Sequence, residues 1–165
     1  MTAPILIVDG YNIIGSWEEL KLLKEEDFGS ARDQLVSILA AYYPWSWERI
    51  IIVFDGQQFA WDETEGVEVV FTGNHETADT MIERLAGGLA AYNRVEVAIS
   101  DFAEYRAASN LGAYVMSASA LKERLAEKRQ NYRERLNKQN APGGIMLNEI
   151  LHRKVIDSLE KLRRH

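Results

Sequence analysis

The sequence predicts an α/β domain: a mostly parallel sheet covered by helices on both faces, continued by a helical C-terminal extension. Three observations carry this reading. Apolar runs at 5–9 and 50–55 lack the alternation of a half-solvated strand, as strands buried on both faces do, and 67–71 and 95–99 add two further strand-like runs. Segments with helical spacing of apolar residues fall between several of these runs, the order that a parallel sheet with crossover helices requires. The C-terminal segment carries two further apolar stripes at helical spacing and no strand signal.

Taken in order, Ile5-Leu6-Ile7-Val8-Asp9 is the first strand, and Gly10-Tyr11-Asn12 is expected to turn the chain. Residues 16–27 are polar and read as a short helix or loop. Ser30 is placed to cap a helix from Ala31, with Ala31, Leu35, Ile38, Leu39 and Tyr42 buried and Pro44 ending it. The second strand runs to Asp55, and 56–66 reads as a polar loop containing Trp61. Val67-Glu68-Val69-Val70-Phe71 is the third strand. After a turn at 72–76, Thr77 caps a helix to about Tyr92 whose core face is Ile82, Leu85, Ala86 and Leu89. The fourth strand, 95–99, runs into Ser100-Asp101. A short helix at 103–110 and a strand at 112–116 complete the body. The tail then forms two helices separated at Ala141-Pro142-Gly143-Gly144. The first has Leu121, Leu125, Tyr132 and Leu136 on one face, and the second has Leu147, Ile150, Leu151, Val155, Leu159 and Leu162. This divides the chain into a body, 1–119, and a helical extension, 120–165, packed on it or projecting from it.

Charge follows the same division. Residues 120–165 hold 12 Lys+Arg against 6 Asp+Glu, a net +6, and residues 1–119 hold 7 against 19, a net −12. An acidic body with a basic tail suits a protein that meets a polyanion through one region only. There are no cysteines, which removes disulfide frameworks, thiolate metal sites and cysteine nucleophiles. No apolar run approaches the ~18 residues of a bilayer span, and no signal peptide is visible, so a cytoplasmic protein without a membrane partner is expected.

Three strands end in aspartate: Asp9, Asp55 and Asp101. In open parallel sheets ligands bind outside the carboxyl ends of the strands, and the loop after the third strand leads to Asp79 in the first turn of a helix. Such a cluster repels itself unless cations or protons neutralise it, and hard divalent cations such as Mg²⁺ suit carboxylate oxygens. The implied chemistry is metal-assisted phosphodiester hydrolysis. Any one strand-end aspartate also serves as a turn or cap residue. Three at one edge are what turn the reading toward a site.

Around this edge, Asn12 is placed to orient a water or a carboxylate, or simply to form the turn. Ser100 is placed to hold Asp101 or the local backbone. Glu83, one helical turn after Asp79, extends the acidic face or is solvated. Arg32 reaches a substrate phosphate or forms a surface ion pair. Trp17 and Trp61 lie in segments that could border the crevice, and Trp45 and Trp47 in one that packs where the second strand enters; core or rim packing is the expectation for all four. His75, His152 and His165 lack metal-ligand spacing. No GxGxxG, GxxxxGK[ST] or GxSxG motif occurs. Asp9-Gly10-Tyr11 also lacks the second aspartate of a haloacid-dehalogenase-type phosphatase.

The string Ile5-Leu6-Ile7-Val8-Asp9-Gly10-Tyr11-Asn12-Ile13-Ile14-Gly15, with Ala31-Arg32-Asp33, Val53-Phe54-Asp55, Glu76-Thr77-Ala78-Asp79 and Ser100-Asp101 in order, resembles the YacP-like branch of the NYN domains, relatives of the PIN-domain nucleases. The resemblance spans about residues 5–125. It implies a three-layer α/β/α PIN-like fold and Mg²⁺- or Mn²⁺-dependent endoribonuclease activity. Asp9, Asp79 and Asp101 are then the metal-binding carboxylates, supported by Asn12, Asp55 and Ser100 and, less directly, Glu83. It also implies mRNA and the ribosome as partners.

Where the family is expected to read Glu-Gln-Arg, this chain has Glu104-Tyr105-Arg106, which alters local substrate contacts. Residues beyond about 138 are expected to be an addition to the family core. The body is then the catalytic domain, and Arg32 with Lys122, Arg124, Lys128 and Arg129 of the basic helix would bind substrate. The helix charges equally fit a solvated face paired with Glu123, Glu127 and Glu134. The rival reading is a catalytically inactive PIN-like module that binds RNA or the ribosome. A small-molecule phosphatase is a third.

Overall fold

The computed structural model describes residues 3–99, 110–139 and 146–163. Six strands form one sheet: β1 (Ile5–Asp9), β2 (Arg49–Phe54), β3 (Ala60–Thr64), β4 (Val67–Phe71), β5 (Val95–Ala98) and β6 (Tyr114–Met116), in the order β3-β4-β2-β1-β5-β6. Every neighbouring pair is parallel except β3 with β4. The described helices are α1 (Gly10–Ser16), α2 (Glu18–Glu26), α3 (Phe28–Ala40), α4 (Ala78–Ala90), α5 (Ala118–Gln139) and α6 (Met146–Arg163). The fold class read from the sequence is the one found.

The unbroken apolar runs follow from two cores. Leu6, Val8, Ile50, Ile52 and Phe54 face one cluster with Ile13, Leu20, Leu35, Leu39 and Leu121, contributed by α1, α2, α3 and α5. The alternate residues Ile5, Ile7, Ile51 and Val53 face the other, against Met81, Ile82 and Ala86 of α4. Period-two alternation therefore assigns neighbours to opposite apolar layers rather than to core and water. Each such isoleucine, fully buried, stabilises the fold by about 1.5–3 kcal/mol.

The structure corrects several local expectations. Gly10-Tyr11-Asn12 opens α1 directly after β1 instead of turning the chain. The cap of α3 is Asp27, whose carboxylate accepts from the Gly29 N–H at 3.1 Å. Ser30 lies inside the helix and donates its Oγ–H to Asp27 at 2.7 Å. The expected 56–66 loop contains β3, an edge strand hydrogen-bonded antiparallel to β4 in register Trp61 with Val70. Glu65 (φ 54°) and Gly66 (φ 87°) join the two in a tight hairpin, both residues taking the left-handed conformation that such turns demand. A Cβ on Gly66 would also meet the Tyr43 ring at 2.4 Å. Thr77 does cap α4, accepting from the Thr80 N–H at 3.2 Å.

Of the tryptophans, Trp45 departs most from the expected packing. Trp17 is buried and donates its Nε1–H to the Ala118 carbonyl at 2.9 Å, tying the start of α5 to the α1–α2 junction. Trp47 packs in the core as expected, whereas Trp45 stands in solvent. Leu121 and Leu125 of α5 are buried, and Tyr42 donates its hydroxyl to the Leu125 carbonyl, so this part of the tail packs on the body. On α6, Val155, Leu159 and Leu162 are half-buried. Most of the helix expected at 103–110 and the break at 141–144 lie outside the described residues, as do the side chains of Leu147, Ile150 and Leu151. Among the described residues, no helix is long and apolar enough to cross a membrane.

Candidate active site

The sheet order reverses at β1. From it the chain proceeds to β2 and β4 on one side, then crosses back to β5 and β6 on the other. The crevice outside the carboxyl ends of strands at such a reversal is where open α/β sheets bind ligands. Asp9, the last residue of β1, sits there.

Asp9 is almost fully buried, at 5% exposure. Its Oδ2 accepts from the Asn12 Nδ2–H at 2.6 Å, a contact made because α1 starts immediately and brings Asn12 back beneath the strand end. Burial pushes the Asp9 carboxyl up to about 6 from an ordinary 3.8. The Asn12 amides, backbone and side chain, pull it back, and the neighbouring charges of Asp79 and Asp55 raise it further. The three aspartates therefore share one electrostatic site. Such a site gains from a cation.

Asp55 follows β2, is exposed, and accepts from the Ala78 N–H at 2.8 Å. It holds the first turn of α4, and Asp79 is the next residue of that turn, so Asp55 positions Asp79. Thr72 supports the same geometry from β4: fully buried, it accepts the Gly56 N–H at 3.2 Å through Oγ1, and its own N–H donates to the Phe54 carbonyl. Thr72 drew no attention in the sequence, where its one signal is a hydroxyl directly after a strand. Glu83 is exposed on α4. Ser100, Asp101 and the Phe102-Ala103-Glu104-Tyr105-Arg106 segment lie outside the described residues.

Beside the carboxylates runs an aromatic row. Tyr11 packs edge-on to Phe28 (6.0 Å between centroids) and tilted on Phe54 (4.9 Å), and Phe54 stacks on Phe71 (5.4 Å). Arg32 reaches this row from α3, donating to the Tyr11 hydroxyl at 3.2 Å and lying 5.7 Å from the centre of the Phe71 ring. Its guanidinium thus sits near the Asp9 end of the sheet, and a hollow of about 280 Å³ opens between it, Phe54, Phe71 and β3. A Cβ on Gly10 would fall 2.2 Å from the buried Phe54 ring. Gly10→Ala is therefore expected to cost about 2–4 kcal/mol through forced repacking. Urea denaturation should show a lower midpoint, and an unchanged midpoint would refute the clash.

The basic helix divides. Lys122 donates to Glu19 at 2.9 Å, and Arg124 pairs with the buried Glu96 on β5 while lying 5.3 Å from the Tyr114 ring centre. Lys128 lies 4.9 Å from the Trp47 ring centre, and burial lowers its pKa from the ordinary lysine value. Arg129 has none of these ties to an acid and faces α6. Among the described residues, the helix cations selected from the sequence thus fall into ones engaged within the fold and one, Arg129, without an ion pair.

Among the described residues, no three acidic or histidine groups stand close enough to hold a metal ion. Coulombic coupling reaches further than a coordination bond of about 2.0–2.1 Å, so Asp9, Asp55 and Asp79 share a field without forming a ligand set by themselves.

Fold and site together define an α/β/α domain with an acidic strand-end crevice and a basic helical tail. The chain belongs to the YacP-like NYN domain family, whose model matches residues 6–164. That match runs past residue 138, so the end of the tail is part of the family domain and not an addition to it. The chain is 38% identical over 168 residues to the uncharacterized protein YacP of Bacillus subtilis (strain 168), covering 97% of this chain and 96% of that protein. Among solved structures, it matches a crystal structure of a tryptophan-to-leucine mutant of Rae1 (YacP) from Bacillus subtilis with a TM-score of 0.70 at 34% identity, over 98% of this chain and 99% of that one. A second crystal structure of Rae1 (YacP) matches with a TM-score of 0.64 at 38% identity, over 97% and 94%. NYN domains are typically nucleases that use a divalent metal, and membership is consistent with a nuclease-like, RNA-related function.

Proposed function

We propose that this chain is a Mg²⁺- or Mn²⁺-dependent endoribonuclease that hydrolyses phosphodiester bonds of single-stranded RNA, with mRNA on the ribosome as its substrate. The observation that carries the reading is the nearly buried Asp9 carboxylate at the sheet reversal, where the charges that act on it among the described residues are those of Asp79 and Asp55. A structural aspartate in that position would be paired with a lysine or arginine.

The donor set fits a hard divalent ion: Asp9 and Asp79 supply carboxylate oxygens, and Asp101, three positions past β5 in sequence, is the proposed third ligand. When bound, the ion supplies positive charge and Lewis acidity at the scissile phosphate. The chain's own residues do the rest. Asn12 fixes which Asp9 oxygen stays available, a supporting contact of the kind whose loss weakens metal sites about 10–100-fold. Asp55 sets the first turn of α4 and hence Asp79. Ser100 is proposed to orient Asp101, and Glu83 to extend the acidic face. Arg32 offers a guanidinium to the substrate at the same edge. Lys122, Arg124, Lys128 and Arg129 add positive field along α5, with Arg129, which has no ion pair among the described residues, offered to phosphate directly.

One observation favours the rival binding-module reading, the lack of a three-ligand acidic group among the described residues. Calorimetric titration with Mn²⁺ separates the two. The nuclease reading expects saturable binding that disappears in Asp79→Asn, and cleavage of a labelled single-stranded RNA that EDTA stops. No binding and no cleavage by a folded protein would leave only the module. Turnover of a phosphomonoester with RNA left intact would point to a phosphatase.

A further inference from the structure

We propose that the cleft between α5 and α6 is a second, non-catalytic binding site for single-stranded RNA. The proposal rests on the RNA-directed reading above and adds the surface that holds the strand. It begins from a charge problem. The body that carries the catalytic edge has a net charge of −12, so a polyanionic substrate is repelled there and needs an anchor elsewhere.

The structure sorts the tail's cations. Lys122 and Arg124 are tied to Glu19 and Glu96 and hold α5 to the body. Arg129 and Arg133, one helical turn apart on α5, converge with Arg163 of α6 on a hollow of about 620 Å³. Its apolar floor is Ile156, Leu159 and Leu162, and among the described residues Glu160 is the one carboxylate on its wall. Among the described residues, none of the three arginines has an ion pair. Three guanidinium groups around one cleft whose described lining holds a single acid suit an anionic occupant.

A neighbouring hollow shares Arg129 and adds Lys128, Lys154 and the Trp45 ring. Trp45 is 61% exposed, although the other tryptophan of the same segment, Trp47, is fully buried. Cations interleaved with an exposed indole form the layout of a single-strand site, with phosphates on the arginines and an unpaired base on the ring. A duplex offers the phosphates but no free base face, which is why a single strand is the occupant chosen.

The test measures binding without cleavage, so it does not depend on the nuclease assignment. Asp9→Asn protein in EDTA is titrated into fluorescein-labelled oligouridine of roughly 15 nucleotides, and anisotropy is followed across salt concentrations. Adding Arg129→Gln/Arg133→Gln is expected to weaken binding at least about 10-fold and to reduce the log–log salt slope by about 1.4, or ~0.7 per lost phosphate contact. A Lys21→Gln/Arg94→Gln control, with the same change in net charge, should shift affinity by less than about 3-fold. Trp45→Ala is expected to lose about 5–10-fold, recovered in Trp45→Phe, with tryptophan fluorescence of the parent quenched on binding. Arg129→Lys/Arg133→Lys, which keeps the charge, guards against misfolding and should retain the salt slope. Equal affinity and slope in the Gln double variant would overturn the cleft while leaving the active site untouched. A hairpin duplex bound as tightly as the single strand, or displacement by polyglutamate as effective as by polyuridine, would overturn the single-strand assignment.

Discussion

Asp9→Asn is expected to abolish RNA cleavage and, at the same time, to make the metal-free protein more stable. The first effect follows from removing a proposed metal carboxylate, a loss of roughly 10³-fold or more, on the order of 4 kcal/mol of transition-state stabilisation. The second follows from the pKa. A carboxyl held at about 6 in the folded protein against 3.8 ordinarily penalises folding whenever it is ionised. Its contribution is most favourable below pH ~4 and is lost as the pH rises through about 6, with a full span of about 3 kcal/mol. Asparagine keeps the shape and can still accept from the Asn12 amide, and it carries no charge to desolvate. Thermal unfolding in EDTA at pH 7.5 should therefore show Asp9→Asn melting roughly 4–8 °C above the parent, with the difference fading toward pH 4. Saturating Mn²⁺ should raise the parent and leave the variant where it is. A variant less stable than the parent at pH 7.5 would mean that Asp9 is held by a structural partner, and the active-site argument would lose its base.

Arg124→Met is expected to be among the most destabilising single changes in the tail, at about 3–5 kcal/mol, because it leaves Glu96 buried on β5 without its ion pair, with the more distant Lys128 charge beside it. The double variant Arg124→Met/Glu96→Gln should recover much of that loss, since the cost lies in the orphaned charge rather than in the missing attraction. Urea midpoints of the two variants measure this. Full retention of stability in Arg124→Met would show the pair to be superficial and return Arg124 to the pool of RNA-contacting cations. In the sequence Arg124 is indistinguishable from Arg129. Only the tertiary position of Glu96, an acidic residue inside an otherwise apolar strand, separates their roles.

That contrast marks where sequence stopped being informative. The first two parallel strands were legible because burial on both faces makes them continuous apolar runs, and Thr77 was legible as a cap because little competes with it. β3 was not, since an edge strand with Asp62 and Glu63 exposed has neither an apolar run nor a buried face to reveal it. Gly10 reads locally as a turn residue. It is glycine because the Phe54 ring from a distant strand fills the space where a Cβ would go. Asp27 and Ser30 are both competent caps three positions apart, and the backbone extension at Asp27 decides between them. At the edge itself, Asp9, Asn12, Asp55 and Asp79 were found from strand ends and spacing. Their coupling through the burial of Asp9 and the Asp55 contact with α4 required the fold. The α5–α6 cleft was invisible because Arg163 and Trp45 lie far from Arg129 along the chain.

The central claim is that Asp9 anchors a metal-dependent RNA-cleaving centre, and the most direct test is to map mRNA ends in a translating bacterial extract. Wild-type protein and Asp9→Asn are added in parallel, each beside the same mRNA without ribosomes, with folding verified by thermal melts. New internal 5′ ends that appear in the translating lane with wild type and never appear there with Asp9→Asn are the predicted result. Comparison of the lanes shows whether translation is required. Identical end maps for wild type and Asp9→Asn, with both proteins folded, would contradict it.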